Sequence, residues 1–213
     1  LFLVCDGVSL ANGWFASREA AEKSNEILGE ELDRKLENIA TGDHVSPERK
    51  QELMIQEVMS EIQRTILEAD RSIKSKTELD PRFSGDVATT FSLARLVEMP
   101  DKTQQLFVAN VGDSRVFVLR EGKLIRLTQD DSLLSQALNG GYVSQADGHL
   151  VDQASRVDEL PDRLQVFFRQ RQIITRAVGA LRDDSIDVKR YRVLPGDRLI
   201  LASDGLTDQF TEK

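Results

Sequence analysis

The sequence contains few residues of several types, and each scarcity excludes a class of protein. Among its 213 residues there are one cysteine and two histidines. A single thiol cannot form an internal disulfide, which fits a reducing compartment, although a secreted protein without disulfides would have the same composition. The two histidines, His44 and His149, stand in polar stretches of the sequence. That setting favours solvated side chains over catalytic ones.

Positive charge and long hydrophobic runs are also scarce. The chain has 28 Lys and Arg against 36 Asp and Glu, which gives a formal net charge of −8. A polyanion such as nucleic acid would be repelled by this excess of negative charge. Apolar residues make up 40% of the sequence and charged residues 30%, a balance too polar for a membrane protein and too apolar for a disordered chain. The composition predicts a globular protein with no nucleic-acid partner and no membrane segment.

Two amphipathic helices are predicted in the first third of the chain. Apolar residues recur mostly at three- and four-residue steps over residues 17–39. After a polar connection, Ser46 can cap a second helix with Pro47 at its first position, and the apolar stripe continues to Leu67. A coiled coil or a partner-binding face would give similar stripes. Neither stripe sustains several heptads, which favours packing in the core.

Short segments rich in Val, Thr, Phe and Leu follow these helices and predict antiparallel strands. The segments are residues 87–97, 105–111, 116–120, 123–127 and 187–194. Two further segments, residues 1–4 and 198–202, are predicted to be buried strands. Because no internal repeat or linker is visible, residues 1–213 are predicted to form a single α+β domain.

Between these strands, one short helix and one long loop are predicted. Residues 131–138 can form the helix, which Gly140 and Gly141 would end. Residues 139–163 are polar and show no sustained period, so they are predicted to be a mobile surface loop beside the functional site. Asp147-Gly148 is predicted to make a turn within that loop.

Two sequence motifs consist of an apolar segment, predicted to be a strand, followed by Asp-Gly. The two pairs are Asp6-Gly7 and Asp204-Gly205. A carboxylate at the end of a buried strand is costly unless a cation meets it. The glycine leaves its backbone carbonyl open to close approach. Oxygen ligands of this kind suit Mg²⁺ and Mn²⁺. Taken alone, each pair is explained more simply by a tight turn.

Further phrases stand between these two, and their order carries more information than any one of them. Asp113, Ser114 and Arg115 place a carboxylate, a hydroxyl and a guanidinium between two predicted strands. In chain order the phrases are Cys5-Asp6-Gly7, Ser84-Gly85-Asp86-Val87-Ala88-Thr89-Thr90, Gly112-Asp113-Ser114-Arg115, Leu127-Thr128-Gln129-Asp130-Asp131-Ser132, Ile174-Thr175-Arg176-Ala177-Val178-Gly179 and Ser203-Asp204-Gly205.

This ordered set resembles the metal-dependent protein phosphatases of the PPM (protein phosphatase 2C) family, particularly its bacterial members. The resemblance implies an α+β fold in which two antiparallel sheets form a sandwich flanked by helices, in an α-β-β-α arrangement. It also implies that water hydrolyses phosphoserine and phosphothreonine at a binuclear Mn²⁺ or Mg²⁺ centre. Two cations about 3.5–4 Å apart can hold a phosphate and lower the pKa of bound water.

By motif position, Asp6 would bridge the two central ions, the Gly7 carbonyl would bind one and Asp204 the other. Asp6 and Asp204 are therefore the residues assigned to catalysis. Asp113 would bind a weaker third ion together with Asp204. The implied partners are a phosphorylated protein substrate and a Ser/Thr kinase counterpart, and the implied state is a cytoplasmic monomer. The alternative is a non-catalytic relative, a pseudophosphatase that acts as a regulatory binding module.

The chain departs from the family pattern in several places. Val8 stands where many eukaryotic members have a histidine, and Asp131 stands where the family usually has one. An upstream phosphate-binding Arg with an acidic phrase, and a downstream Asp-Asn pair, are not found in the sequence. We therefore expect a domain that is incomplete at both ends, and a span that is a poor phosphatase on its own.

Four other residues with reactive or polar side chains are expected to be structural. Cysteine-based phosphatase chemistry needs Arg six residues after the thiolate, but Cys5 is followed there by Ala11, so Cys5 is predicted to be a core residue. Arg115 is expected to support its turn by ion pairing. Thr175 and Arg176 are expected to fix backbone near the site. For Trp14 the sequence leaves two roles open, at the rim of the site or at the start of a helix.

Overall fold

After a short first strand, residues 13–78 are mostly helical, and two groups of strands follow with a second group of helices between them. The computed structural model describes residues 1–8, 12–80, 82–83, 87–171 and 173–207. The helices are α1 (Gly13–Glu26), α2 (Leu32–Thr41), α3 (Pro47–Glu78), α4 (Leu133–Asn139), α5 (Gln145–Gln153), α6 (Asp162–Arg169) and α7 (Asp204–Thr207). The strands are β1 (Phe2–Val4), β2 (Phe91–Glu98), β3 (Gln104–Val111), β4 (Arg115–Arg120), β5 (Lys123–Arg126), β6 (Val188–Arg192) and β7 (Arg198–Ala202). Within the described residues, no helix combines the length and the apolar character needed to cross a bilayer.

The second predicted helix begins where its capping signal stands, whereas the first is interrupted. Ser46 Oγ accepts a hydrogen bond from the N–H of Arg49 (3.3 Å), and α3 continues to Glu78. The prediction of one continuous helix over residues 17–39 is wrong. A π-helical turn at Ile27–Glu31 separates α1 from α2, and Gly29 there has a non-helical ψ of −126°. Glycine permits this kink because it has no Cβ.

The strands form two antiparallel sheets, as predicted. One sheet has the order β1-β2-β3-β6 and the other has the order β5-β4-β7. Glu121 and Gly122 both have positive φ, at 50° and 77°, and make the tight turn between β4 and β5. The prediction that residues 1–4 and 198–202 are buried is wrong, since both strands are largely half-buried and Phe2 is 49% exposed. The reason is that β1 and β7 are edge strands of the described sheets.

Alternation of side chains along the strands builds two hydrophobic layers. Leu93 and Phe107 point to one face of the four-stranded sheet, where helices α1 to α3 supply residues such as Ile62. Their neighbours Ala94 and Leu106 point to the other face. There they meet the three-stranded sheet, whose contribution includes Val116 and Val118. The helices therefore cover one sheet, which packs on the other, in the predicted α+β arrangement.

Residues 139–163 are not the structureless loop that the sequence predicts. They contain α5, a short 3₁₀ turn at Val157–Glu159 and the start of α6. Together with α4 these elements enclose a small core of their own, with Val151 and Leu164 fully buried or nearly so. Asp147-Gly148 is not a hairpin turn but part of α5, which Ser144 caps by accepting from Asp147 N–H (3.1 Å). We call residues 133–169 the helical lobe.

Candidate functional site

The turn Asp6-Gly7 follows β1 and is fixed by hydrogen bonds to the neighbouring segment. The N–H of Asp6 donates to Thr90 Oγ1 (2.9 Å). The Asp6 carbonyl accepts from Thr90 N–H (2.8 Å) and from Thr89 Oγ1 (2.9 Å). Gly7 forms an antiparallel bridge with Thr89. All of these bonds involve the main chain of the turn, so they fix its position without using the Asp6 carboxylate.

Two glycines allow a helix to start directly against this turn. A Cβ at Gly7 would lie 2.3 Å from the carbonyl carbon of Gly13, and a Cβ at Gly13 would lie 2.7 Å from the carbonyl carbon of Gly7. Only residues without a side chain can approach so closely. Trp14 is the second residue of α1, so it lies in the first turn of the helix, beside the Asp6-Gly7 turn. Its side chain is 62% exposed.

The pairing of β4 with β7 brings Asp113 and Asp204 to the same place. Arg115 is paired with Ala202 in this antiparallel ladder. Continuing the register by two residues places Asp113 opposite Asp204, just where α7 begins. Burial, together with the negative charges of Asp130 and Asp204, raises the pKa of Asp113 to about 6. The site therefore holds carboxylates that repel one another.

A buried pair of hydroxyl groups joins the turn of Asp113 to the turn of Asp6. Thr90 Oγ1 and Ser114 Oγ are 2.7 Å apart, and both residues are at most 3% exposed. Thr90 Oγ1 also accepts from Asp6 N–H, so one side chain contacts both turns. Gly112 fits closely here, because it has a φ of +97° and a Cβ there would lie 2.9 Å from Thr90 Cγ2. The Asp6 and Asp113 turns thus lie at the same end of the two sheets.

The segment after β5, residues 127–132, contacts the residues on both sides of Asp113. Asp131 accepts from Gly112 N–H through its carboxylate (3.1 Å) and donates its own N–H to the Gly112 carbonyl (2.9 Å). Burial raises the pKa of Asp131. Arg115 pairs with Asp130 at 2.8 Å, which agrees with the ion pairing expected for it. Asp131, which stands where the resemblance predicts a histidine, is therefore hydrogen-bonded to the backbone of Gly112 and supports the turn.

Thr175 and Arg176 also bond to neighbouring backbone, as expected. Thr175 N–H donates to the carbonyl of Asp131 (2.7 Å). The Arg176 guanidinium donates to the Ser185 carbonyl (2.5 Å) and pairs with Asp183 at 3.3 Å. The bond from Thr175 connects the segment after the helical lobe to the segment that supports Asp113.

The remaining sequence candidates take structural or solvent-exposed positions. Cys5 packs half-buried against the core of helices and sheet, and burial raises its pKa to about 12. The thiol is therefore protonated at neutral pH and suited to the core position predicted for it. His44 and His149 are exposed. Ser84-Gly85-Asp86, the start of the second phrase, lies outside the described residues.

The structure brings only some of the predicted metal ligands close to one another. Asp113 and Asp204 come together, and the Asp6-Gly7 turn is tied to Asp113 through Thr90. Within the part of the chain that the structure describes, no three His, Cys, Asp or Glu side chains form a group that could hold a metal ion. Thr90 also belongs to this site, although its place in one of the sequence motifs predicts no role for it. Two consecutive threonines directly before the apolar residues of β2 were the available signal.

Both the sequence and the fold of this chain are similar to those of known proteins. The family model described as protein phosphatase 2C matches residues 1–213, and the chain belongs to this family. It is 28% identical over 160 residues to the serine/threonine phosphatase stp of Listeria monocytogenes, a match covering 75% of this chain and 54% of that protein. The chain thus spans about half the length of this curated relative.

Solved structures show the same fold. The serine/threonine phosphatase PstP/Ppp of Mycobacterium tuberculosis superposes with a TM-score of 0.65 at 21% identity, over 98% of this chain and 70% of that one. A second structure, the catalytic domain of PstP in complex with two manganese ions, has a TM-score of 0.64 at 20% identity, over 98% of this chain and 69% of that one. The α+β fold of PPM phosphatases is therefore confirmed for this chain.

Proposed function

We propose that this protein is a divalent-metal-dependent phosphatase acting on phosphoserine and phosphothreonine in proteins, in the cytoplasm. The observation that carries the proposal is the pair Asp113 and Asp204, brought together by the β4–β7 register beside the Asp6-Gly7 turn. Family membership supports it, and so do the two manganese ions bound by the catalytic domain of PstP, which has a similar fold. A Ser/Thr kinase would be its functional counterpart.

The residues present fit a hard divalent cation in chemistry and charge. Asp6, Asp113 and Asp204 supply carboxylate oxygens and Gly7 a carbonyl, which are the ligands that Mg²⁺ and Mn²⁺ prefer. Burial and the neighbouring carboxylates Asp130 and Asp204 raise the pKa of Asp113, so its ionised form is disfavoured, and a bound cation would offset that cost. We assign Asp6, Gly7 and Asp204 to two central ions, and Asp113 with Asp204 to a third.

Bound ions would supply Lewis-acid chemistry and a nucleophile from water. The protein's own part in the reaction is to hold the ligands and the substrate in position. Thr90 and Ser114 keep the Asp6 and Asp113 turns at a fixed separation. Arg115 and Arg176 are engaged by carboxylates of the chain, so they are not assigned to the substrate phosphate.

A regulatory binding module that lacks catalysis is the second candidate. It is favoured by one observation, that the described residues contain no group of three metal-binding side chains. Such a module would use the same end of the sheets to bind a phosphorylated protein without hydrolysing it.

Phosphate release from a phosphoserine peptide tests the proposal. With the product of the complete reading frame, we expect turnover with Mn²⁺ or Mg²⁺ and none in chelator. Asp6→Ala and Asp204→Ala should each remove most of the activity, because each deletes a ligand. Asp101→Asn is the matched control, since Asp101 is an exposed carboxylate between β2 and β3, at the far end of the sheet. It should leave activity unchanged.

The outcomes separate the two candidates. Equal activity in chelator, or full activity in both alanine variants, would refute the metal-dependent phosphatase. No turnover under any condition, together with retained binding of the phosphopeptide by fluorescence anisotropy, would support the binding module instead.

A further inference from the structure

A buried carboxylate on α3 has a set of bonds that the proposed chemistry does not explain. Asp70 is 5% exposed. Its Oδ1 accepts from the N–H groups of Gly179 (2.8 Å) and Leu181 (3.1 Å). Its Oδ2 pairs with Lys74 Nζ at 2.7 Å, and Lys74 also donates to the Leu181 carbonyl (2.6 Å). The carboxylate is thus paired with a lysine and accepts two main-chain hydrogen bonds. These bonds fix the backbone of a turn that is distant in the sequence.

The turn held by this carboxylate packs against residues 87–89 with no spare room. Gly179 has a φ of +102°, and a Cβ there would lie 2.4 Å from the Val87 carbonyl oxygen and 2.9 Å from Ile73 Cγ2. Val178 and Thr89 exchange both main-chain hydrogen bonds, each 2.9 Å long. A shift of the turn would therefore move the strand-like segment beside it.

The other edge of that segment carries the Asp6-Gly7 turn. Thr89 bridges to Gly7 in antiparallel fashion. The Asp6 carbonyl accepts from Thr90 N–H and from Thr89 Oγ1. Three rows of main chain, at residues 6–7, 89–90 and 178–179, therefore lie side by side as a short antiparallel sheet. The first row holds two proposed metal ligands, and the third row is bonded to Asp70.

We propose that Asp70 is a positioning residue for Asp6 and Gly7, acting through these three rows. Without its carboxylate, the N–H groups of Gly179 and Leu181 would lose their acceptor. Leaving such groups unsatisfied is costly, so the third row would move towards other partners. The displacement would reach Asp6 through Thr89. The consequence for ion binding rests on the proposed function, whereas the consequence for the three rows does not.

Glu61 provides a matched control on the same helix. It is 6% exposed and, like Asp70, is a carboxylate paired with a lysine, here Lys35 at 2.8 Å. Its other ion-pair partner is Arg64 of α3. These contacts connect α2 with α3 and involve none of the three rows. Loss of Glu61 should therefore lower stability without reaching the Asp6 turn.

Mn²⁺ titration by calorimetry, on the product of the complete reading frame, is the first readout. Asp70→Ala should weaken Mn²⁺ binding about 10–100-fold, the usual loss when a group that orients a ligand is removed. Asp70→Asn keeps an oxygen that can accept from both N–H groups, so it should restore most of the affinity. Glu61→Ala should bind as tightly as wild type. Wild-type affinity in folded Asp70→Ala, or an equal loss in Glu61→Ala, would overturn the proposal.

Amide hydrogen exchange in chelator is the second readout, and it does not depend on metal. Asp70→Ala should exchange faster than wild type at the N–H groups of Thr89, Thr90 and Val178, and Glu61→Ala should not. If wild type binds no Mn²⁺, the proposed function fails and exchange alone decides the role of Asp70. If Asp70→Ala does not fold, Asp70→Leu replaces it with a side chain that fills similar space but accepts no hydrogen bond. Unchanged exchange in that variant would refute the positioning role.

Discussion

At the scale of single residues, the candidate site contains some groups that stabilise the fold and others that destabilise it. The Thr90–Ser114 pair and the Asp131–Gly112 bonds satisfy buried polar atoms. Asp113, in contrast, is a carboxylate that is partly buried and faces other carboxylates. Side chains kept in unfavourable settings of this kind are common where a protein binds a charged ligand.

Replacement of Asp113 by a neutral residue should raise the free energy of unfolding. A carboxyl whose pKa rises to about 6 on folding destabilises the folded state at pH 7.5, because the ionised form is disfavoured there. We expect Asp113→Asn to raise the free energy of unfolding in chelator by on the order of 1–2 kcal/mol, and the melting temperature by a few degrees. Thermal denaturation in chelator measures both.

The pH dependence follows from the direction of the shift. The advantage of Asp113→Asn should be fully present above pH 6, shrink as pH falls through the interval below 6, and vanish below the ordinary Asp pKa of about 4. Asp101→Asn, at an exposed position, should show no such advantage. A metal-free Asp113→Asn protein less stable than wild type at pH 7.5 would contradict this interpretation.

Sequence alone identifies the site's residue types but not their neighbours. Asp6, Asp113 and Asp204 can be selected because each stands at a strand end in a phrase of the family. That Asp113 faces Asp204 depends on the register of β4 with β7, which two short apolar strands leave undetermined. The role of Asp70 could not be predicted, because the sequence does not distinguish a buried acidic residue of an amphipathic helix from the acidic residues on its solvated face.

At the scale of elements, the helical lobe differs most from expectation. Its helices are short, with nine residues in α5 and eight in α6. Each buries too few apolar residues to produce a sustained period in the sequence, which explains why residues 139–163 resemble a loop. The local signal was the cap at Ser144, where Asp147 follows three residues later. By comparison, the 32 residues of α3 give a period that is hard to miss.

Truncation of the lobe's core tests whether it is an ordered unit. Leu164 is 2% exposed, and Leu164→Ala should cost about 2–5 kcal/mol of lobe stability. Amides of α5 and α6 should then exchange faster, while amides of the β2–β3 hairpin keep their protection. Val166→Ala, at a position on the same helix that is 48% exposed, serves as the control. Rapid exchange throughout α5 and α6 in wild type would restore the mobile-loop interpretation.

At the scale of the whole molecule, the fold explains why residues far apart in sequence meet. Three helices pack on one sheet, and that sheet packs on the second, so one end of the sandwich collects a turn from each sheet. The Asp6 turn follows β1 of the first sheet, and the Asp204 turn follows β7 of the second. The Asp113 turn connects β3 of the first sheet to β4 of the second. This arrangement follows from alternating strand patterns and antiparallel pairing, which are the features that the sequence predicts best.

The central claim is that this end of the sandwich binds divalent metal. It is tested most directly by soaking crystals of the protein in Mn²⁺ and collecting anomalous diffraction at the manganese edge. We expect anomalous peaks in contact with the Asp204 carboxylate, one of them shared with Asp113 and another with Asp6. Peaks elsewhere on the protein, with none at Asp6, Asp113 or Asp204, would contradict the metal centre and the phosphatase function that depends on it.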